Sequence, residues 1–290
     1  MNVCRSYLFV PAKEMSIIKK AVMSNADSVI IDLEDSVAFD QKDTARGLVK
    51  QALQELNERK QIYVRINNFT TPFWEKDLAC SVINGASGVI VPKTENKEQI
   101  TYICEKVREL IQAKNRTIPF KVIPLIETAK GVQFAYEIAG ADPLISKLAF
   151  GSIDYSLDIG CELTSGRGEL LYALSRIVVA SRAADISGPI DAVFPELGNS
   201  KELELEAIQG KKLGFKGKLT IHPQQIEIVN KVFSPKEKEI EDSREIVKKF
   251  EEAERQGSAS ISVNGKLVDY PVYKKAKEIV NFGNLQGSKS

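Results

Sequence analysis

"ADSVIIDLEDSV", residues 26–37, opens with the apolar run Val29, Ile30, Ile31 and breaks at Asp32 into a cluster that also holds Glu34 and Asp35. A short β-branched run of this kind suits a strand buried on both faces, as strands of a parallel sheet are. Its body is apolar and its tip is charged. The same grammar recurs in "SYLFV" at 6, "SVIID" at 28, "IYVRI" at 62, "GVIVPK" at 88, "KVIPLIE" at 121, "LAFGSID" at 148, "PIDAVF" at 189 and "KLTIH" at 218. Between them lie stretches such as 41–59, 96–114 and 168–186, rich in the helix formers Ala, Leu, Glu, Lys and Arg. Strand then helix, repeated, fits a doubly wound open sheet or a closed (β/α)₈ barrel. Eight such units in about 230 residues match the barrel's size, so a TIM barrel is predicted over residues 1–235.

The remainder, 236–290, reads differently. "SPKEKEIEDSREIVKKFEEAERQG" predicts one long charged helix with Ile240, Ile246, Val247 and Phe250 along one side, stopped by Gly257 and expected to pack outside the barrel. "SISVNGKLVDYP" carries Asn264-Gly265 between two extended runs, a type I′ hairpin signal. A last helix is predicted from about 271 to 282.

Composition narrows the function classes. Forty basic residues against thirty-nine acidic ones leave no global field to draw in nucleic acid or an anionic membrane, so an anionic ligand must be met by local charge. No apolar run reaches the roughly 18–20 residues of a membrane helix, and no signal segment precedes the first strand, so a cytoplasmic protein is expected. Cys4, Cys80, Cys104 and Cys161 are too scattered for a zinc pattern and are read as reduced structural thiols.

In a barrel the carboxyl ends of the strands share one mouth. Reading across those ends collects Asp32, Glu34, Asp35, Arg65, Lys93, Glu127, Asp154 and His222. Each alone also reads as a helix cap, a turn acid or a solvated rim charge; together they make a site. Glu127 and Asp154 end adjacent strands, where two carboxylates can share a hard cation with water and substrate oxygens completing its shell, which favours Mg²⁺ over zinc. Glu127 as the cap of a helix beginning near Thr128 is the competing reading. Arg65, in the apolar "VRIN", needs an anionic partner: Glu34 or Asp35, or a substrate carboxylate or developing enolate. Lys93 has the same two readings, with the structural one favoured, and His222 is read as structural.

"RSYLFVPA", "DSVIIDLEDSV", "KDTAR", "VRINNFTTPFWEKDL", "VIVPKTE", "PLIETAKGV", "LAFGSIDYSLDIG", "LTIHPQQI" and "VNGKLVDYPV", in this order, resemble the citrate lyase beta-subunit-like family of CoA-ester lyases. Malyl-CoA and citramalyl-CoA lyases and the HpcH/HpaI aldolases are its relatives. The resemblance spans nearly the whole chain. It implies a Mg²⁺-dependent lyase that cleaves a 3-hydroxyacyl thioester into an acetyl thioester and an oxo acid, with an acyl-CoA or acyl-carrier substrate. By motif, Glu127 and Asp154 would be metal ligands, Arg65 would hold the thioester oxygen or a substrate carboxylate, and Glu34 and Asp35 would bind water and orient Arg65. Asp269, in "VDYP", matches the family's acid on a C-terminal lid that reaches a neighbouring subunit, in a trimer or a pair of trimers. Lys20, Arg5 and Lys13 are candidates for the phosphates of CoA.

Two departures stand out. Ala12 follows Pro11 where many relatives have Gly, and Ile153 precedes Asp154 where beta subunits of multi-subunit citrate lyases commonly have an acid. The second favours a stand-alone CoA-ester lyase over a citryl-carrier lyase subunit; a non-catalytic assembly or regulatory barrel is the third alternative.

Overall fold

Eight parallel strands pair in sequence order and close on themselves in the computed structural model, which describes residues 4–114 and 119–287. They are β1 (Ser6–Pro11), β2 (Ser28–Asp32), β3 (Gln61–Arg65), β4 (Gly88–Val91), β5 (Lys121–Ile126), β6 (Ala149–Phe150), β7 (Ile190–Asp191) and β8 (Gly217–Thr220). The last strand returns to the first, Tyr7 lying opposite Leu219. The fold is the (β/α)₈ barrel that the alternation predicted.

Apolar residues of both parities along the strands feed two cores. Tyr7, Ile30, Tyr63, Ile90, Ile123, Leu125, Ala149, Ile190 and Leu219 form one cluster, which fills the barrel. Their neighbours in sequence, among them Leu8, Val29, Ile31, Val64, Val89 and Val122, belong to the larger cluster shared with the helices. This two-sided burial is why the strands read as continuous apolar runs. The helix Lys42–Leu56 turns Ala45, Val49, Ala52, Leu53 and Leu56 to that outer core at helical spacing. Asn96 caps the helix Lys97–Ala113 by accepting from Gln99 N–H. The third expected helix begins later, at Leu171, after a 3₁₀ turn over Gly168–Leu170.

The chain divides into two compact units, one over residues 4–233 and one over 234–287. In the second unit a helix, Glu237–Arg255, is followed by Gly257 with φ of 81°. β9 (Ile261–Val263) and β10 (Lys266–Val268) then pair antiparallel across Asn264 and Gly265, whose φ of 52° and 74° suit a type I′ turn. A helix over Tyr270–Gly287 closes the unit, longer than its sequence pattern predicted. Phe250, Val263 and Val268 are its core, with Tyr273 stacked 4.7 Å from Phe250. No helix among the described residues is long and apolar enough to cross a membrane.

Candidate active site

The register of β2 against β3 sets Asp32 directly beside Arg65 at the ends of the two strands. The guanidinium uses this in full: Nε donates to Asp32 Oδ1 at 2.7 Å and Nη2 to Oδ2 at 2.8 Å. Burial works against both charges, but the paired hydrogen bonds outweigh it, holding the Asp32 carboxyl below its ordinary value and raising Arg65. The guanidinium also lies 5.0 Å from the Phe9 ring centroid. Glu34 and Asp35, the partners expected from sequence, touch only Nη1, at 3.2 and 3.3 Å. The principal partner is therefore Asp32, because strand register, not nearness in the loop, selects it.

Asp32 has a second task. Its Oδ1 accepts from Glu34 N–H and its Oδ2 from Ser36 N–H, which folds the loop so that Glu34 turns inward. Lys42, buried at the start of its helix, donates from Nζ to the carbonyls of Leu33 and Glu34, each at 2.7 Å. Asp77, fully buried, accepts from both the backbone and side-chain N–H of Asn67, two residues beyond Arg65, and from Arg46 Nη1. These supports went unread in the sequence. The "KDTAR" and "WEKDL" segments signal them only as charges at buried helix positions, Lys42, Arg46 and Asp77, which demand partners.

Glu34 is buried, and no donor meets its Oε2 in hydrogen-bonding geometry although Arg65 Nη1 stands near. Burial pushes its carboxyl up to about 7, with Asp35 and Asp32 adding to the effect and Arg65 and Lys93 opposing it. Glu127 ends β5, only 2% exposed, and accepts from the Lys93 backbone N–H at 2.8 Å. It does not cap the following helix; Thr128 does, accepting from Gly131 N–H. Burial, with the charges of Glu34 and Asp154, pushes the Glu127 carboxyl up to about 8. Asp154 lies in the first turn of the helix Ser152–Ile159, its carboxylate 3.3 Å from Lys93 Nζ. Gly151 makes the approach possible, since a Cβ there would lie 2.5 Å from Glu127 Oε2.

The structure thus brings Glu34, Asp35, Arg65, Lys93, Glu127 and Asp154 to one rim. Arg5 is not among them. It precedes β1, at the opposite end of the barrel, where Asp27 binds its backbone and guanidinium at 2.7 to 2.8 Å. Its expected contact with substrate phosphate is corrected by strand polarity: a residue before a strand lies on the far face from the mouth. Lys20 falls exposed in the last turn of the helix Met15–Met23, and Lys13 stands exposed in the turn after β1. His222 caps a 3₁₀ turn, Nδ1 accepting from Gln224 N–H. Asp269 belongs to the second unit, where its carboxylate accepts from Val272 N–H at the head of the last helix.

Among the described residues no group of three or more His, Cys, Asp or Glu side chains is arranged to hold a metal ion. The donor set nevertheless fits a hard cation bound by two carboxylates with water and substrate oxygen. Only oxygens are offered, Glu34 Oε2 accepts no hydrogen bond, and burial raises the carboxyls of Glu34 and Glu127, so that their ionised forms lack sufficient solvation. A cavity of about 510 Å³ opens beside Lys93 and Thr128, between Asn68, Phe69 and Tyr102. A second cavity, of about 470 Å³, lies among Asp142, Ser146 and Asp185, apart from these groups.

Comparison with known proteins is consistent over the whole chain. The model of the family "HpcH/HpaI aldolase/citrate lyase" matches residues 5–223. Citrate lyase subunit beta from Leuconostoc mesenteroides subsp. cremoris is 36% identical, covering 97% of this chain and 93% of its own. The L-malyl-CoA/beta-methylmalyl-CoA lyase of Cereibacter sphaeroides is 31% identical over 95% of this chain and 93% of its own. Among solved structures, protein CitE from Mycobacterium tuberculosis, in complex with magnesium, acetoacetate and coenzyme A, superposes with a TM-score of 0.77 at 29% identity, over 97% of this chain and 98% of that one. A citrate lyase from Burkholderia xenovorans shares the fold at a TM-score of 0.86 and 17% identity, over 99% of this chain and 93% of its own.

Proposed function

Since this chain belongs to the HpcH/HpaI aldolase/citrate lyase family and is a lyase of the citrate lyase beta-like, CoA-ester kind, we propose that it is a Mg²⁺-dependent carbon–carbon lyase. Its substrate would be a 3-hydroxyacyl-CoA thioester of the citramalyl-CoA or malyl-CoA type, cleaved to acetyl-CoA and an oxo acid. The observation that carries this reading is a pre-oriented, desolvated guanidinium, Arg65 on Asp32, at the same rim as the buried carboxylates Glu127 and Glu34.

Breaking the bond leaves negative charge on the acetyl fragment as an enolate. Arg65, fixed before the substrate arrives, would meet that oxygen without reorganisation, which is where electrostatic catalysis gains most. Glu127 and Asp154 would hold the divalent cation, which when bound supplies Lewis acidity toward the hydroxyl and carboxylate of the acid half. Glu34, whose Oε2 accepts no hydrogen bond and whose carboxyl burial pushes up to about 7, would take the hydroxyl proton through water; Asp35 would order that water. Asp269 of a second copy would give a proton to the enolate carbon, in a trimer or hexamer whose C-terminal lids are exchanged. Lys13 and Lys20 remain the candidates for the phosphates of CoA.

The test is a panel of hydroxyacyl-CoA esters, each incubated with Mg²⁺ or with EDTA, with the released oxo acid identified. Cleavage of one ester, abolished by EDTA, is the expected result; no cleavage of any refutes the reading. The identity to citrate lyase subunit beta favours a second one, a citryl thioester carried on an acyl-carrier protein. A citryl-carrier arm in the same panel separates the two.

A further inference from the structure

Lys93 has φ of +47°, a left-handed backbone that few residues with a Cβ adopt. The conformation turns one residue toward three carboxylates at once. Its N–H donates to Glu127 Oε1 at 2.8 Å, while its Nζ stands 3.3 Å from Asp154 Oδ1 and 3.8 Å from Glu34 Oε1. Arg65, the other cation of the rim, is oriented by Asp32 and reaches Glu34 and Asp35 through Nη1, and no ion pair joins it to Asp154 or Glu127 among the described residues. Among the described ion pairs, Lys93 is the partner that Asp154 has.

Glu34, Asp154 and Glu127 are like charges drawn together in a partly dry rim, and without a cation they repel. An ammonium among them relieves that repulsion. It also stands against any second cation arriving at the same oxygens. We propose that Lys93 is a resident counter-cation: it holds the ligand carboxylates in place while the divalent ion is absent, and competes with that ion for them. The affinity of the site is then a difference between two occupants, and Lys93 weakens it. The flexible four-carbon stem and single-point charge of lysine allow it to withdraw, where a forked guanidinium locked on two oxygens would not. The backbone N–H on Glu127, which does not move with the side chain, keeps that carboxylate aimed during the exchange.

This inference rests on the metal reading given above, and the two fail differently. The probe is Mn²⁺ alone, its binding read by electron paramagnetic resonance on the full-length protein, with thermal melting in EDTA and in Mn²⁺ alongside. Lys93→Met is expected to bind Mn²⁺ at least tenfold more tightly than wild type and to melt lower in EDTA, with the deficit closing when Mn²⁺ is added. Lys93→Arg, which restores the charge but cannot withdraw as lysine does, is expected to bind Mn²⁺ more weakly than the neutral variants and no more tightly than wild type. Lys93→Asn, a residue type that accepts the left-handed backbone, repeats the neutral test should Met disturb folding. Wild type binding no Mn²⁺ overturns the metal reading itself. Wild type binding Mn²⁺ while both neutral variants bind it equally or more weakly overturns the role of Lys93 alone.

Discussion

Arg65 and Asp32 end neighbouring strands in register and share two parallel hydrogen bonds, 2.7 and 2.8 Å long. Asp32 is buried, at 3% exposure, and the Arg65 side chain is 13% exposed, so removing Asp32 leaves a largely desolvated guanidinium with only its Nη1 contacts to Glu34 and Asp35. Asp32→Ala is expected to cost about 3–5 kcal/mol of stability, as breaking a buried ion pair does. Asp32→Asn keeps the shape and one acceptor oxygen; it should fold, but with Arg65 loosened its kcat should fall by about 10²-fold, the scale of a lost oxyanion donor. Melting and steady-state kinetics on the two variants check this. A fully active Asp32→Ala would show that Arg65 needs no such holder.

Gly151 has a consequence of the same kind for Glu127. An added Cβ would sit 2.5 Å from Glu127 Oε2 and 2.8 Å from its Cβ, closer than real contacts, so the carboxylate must swing. The backbone at Gly151 is extended, φ of −111°, which alanine adopts freely. Gly151→Ala should nevertheless melt lower, because the 2.8 Å approach to the Glu127 Cβ is not relieved by rotating a side chain, and should bind Mn²⁺ at least tenfold more weakly. Undiminished Mn²⁺ binding would remove Glu127 from the ligand set.

Lys42 acts on the site through the backbone alone. Its ammonium carries the two carbonyls that bracket Glu34, and charged hydrogen bonds contribute roughly 1.5–3 kcal/mol each. Lys42→Met should lower stability by about 2–4 kcal/mol. It should also reduce kcat more than it raises KM, because the loop that presents Glu34 loses its brace while the substrate groove is untouched. A change in KM alone would place Lys42 in substrate binding instead.

The barrel was legible because all eight strands carry their own signal, even β6 and β7, which are only two residues long. "LAFGSID" and "PIDAVF" read as strands through their apolar character and their place in the alternation, and tertiary closure did the rest. The rim was legible as a set of residue types. What the linear pattern hid was pairing: Glu34 and Asp35 looked like partners of Arg65, whereas register chose Asp32. Arg5 shows the converse. Its position before β1 already placed it at the wrong end of the barrel, and its charge misled. Supports such as Asp77 under Asn67 depend on helix-to-loop packing across ten residues, which no local pattern encodes.

Lys147 gives a test far from the chemistry. Its ammonium donates to Tyr7 Oη at 2.8 Å and lies over that ring, at the end of the barrel where Cys4 and Arg5 also lie, and no carboxylate pairs with it among the described ion pairs. Burial, with the charge of Lys121, lowers its pKa, while the Cys4 sulfur opposes this. A lysine whose folded pKa is depressed binds fewer protons folded than unfolded in the window between the two values. Stability then rises with pH across that window, and the full cost of the buried charge is felt below it. Lys147→Met, which keeps the stem and removes the charge, should accordingly stabilise the protein at neutral pH by about 1–3 kcal/mol, with the methyl end closing over Tyr7. The gain must narrow as the wild type loses its proton toward the ordinary lysine value of about 10.4. Denaturant melts of both proteins at pH 7 and pH 10 decide it: a gain that does not shrink would mean that packing, and not charge, governs the barrel floor.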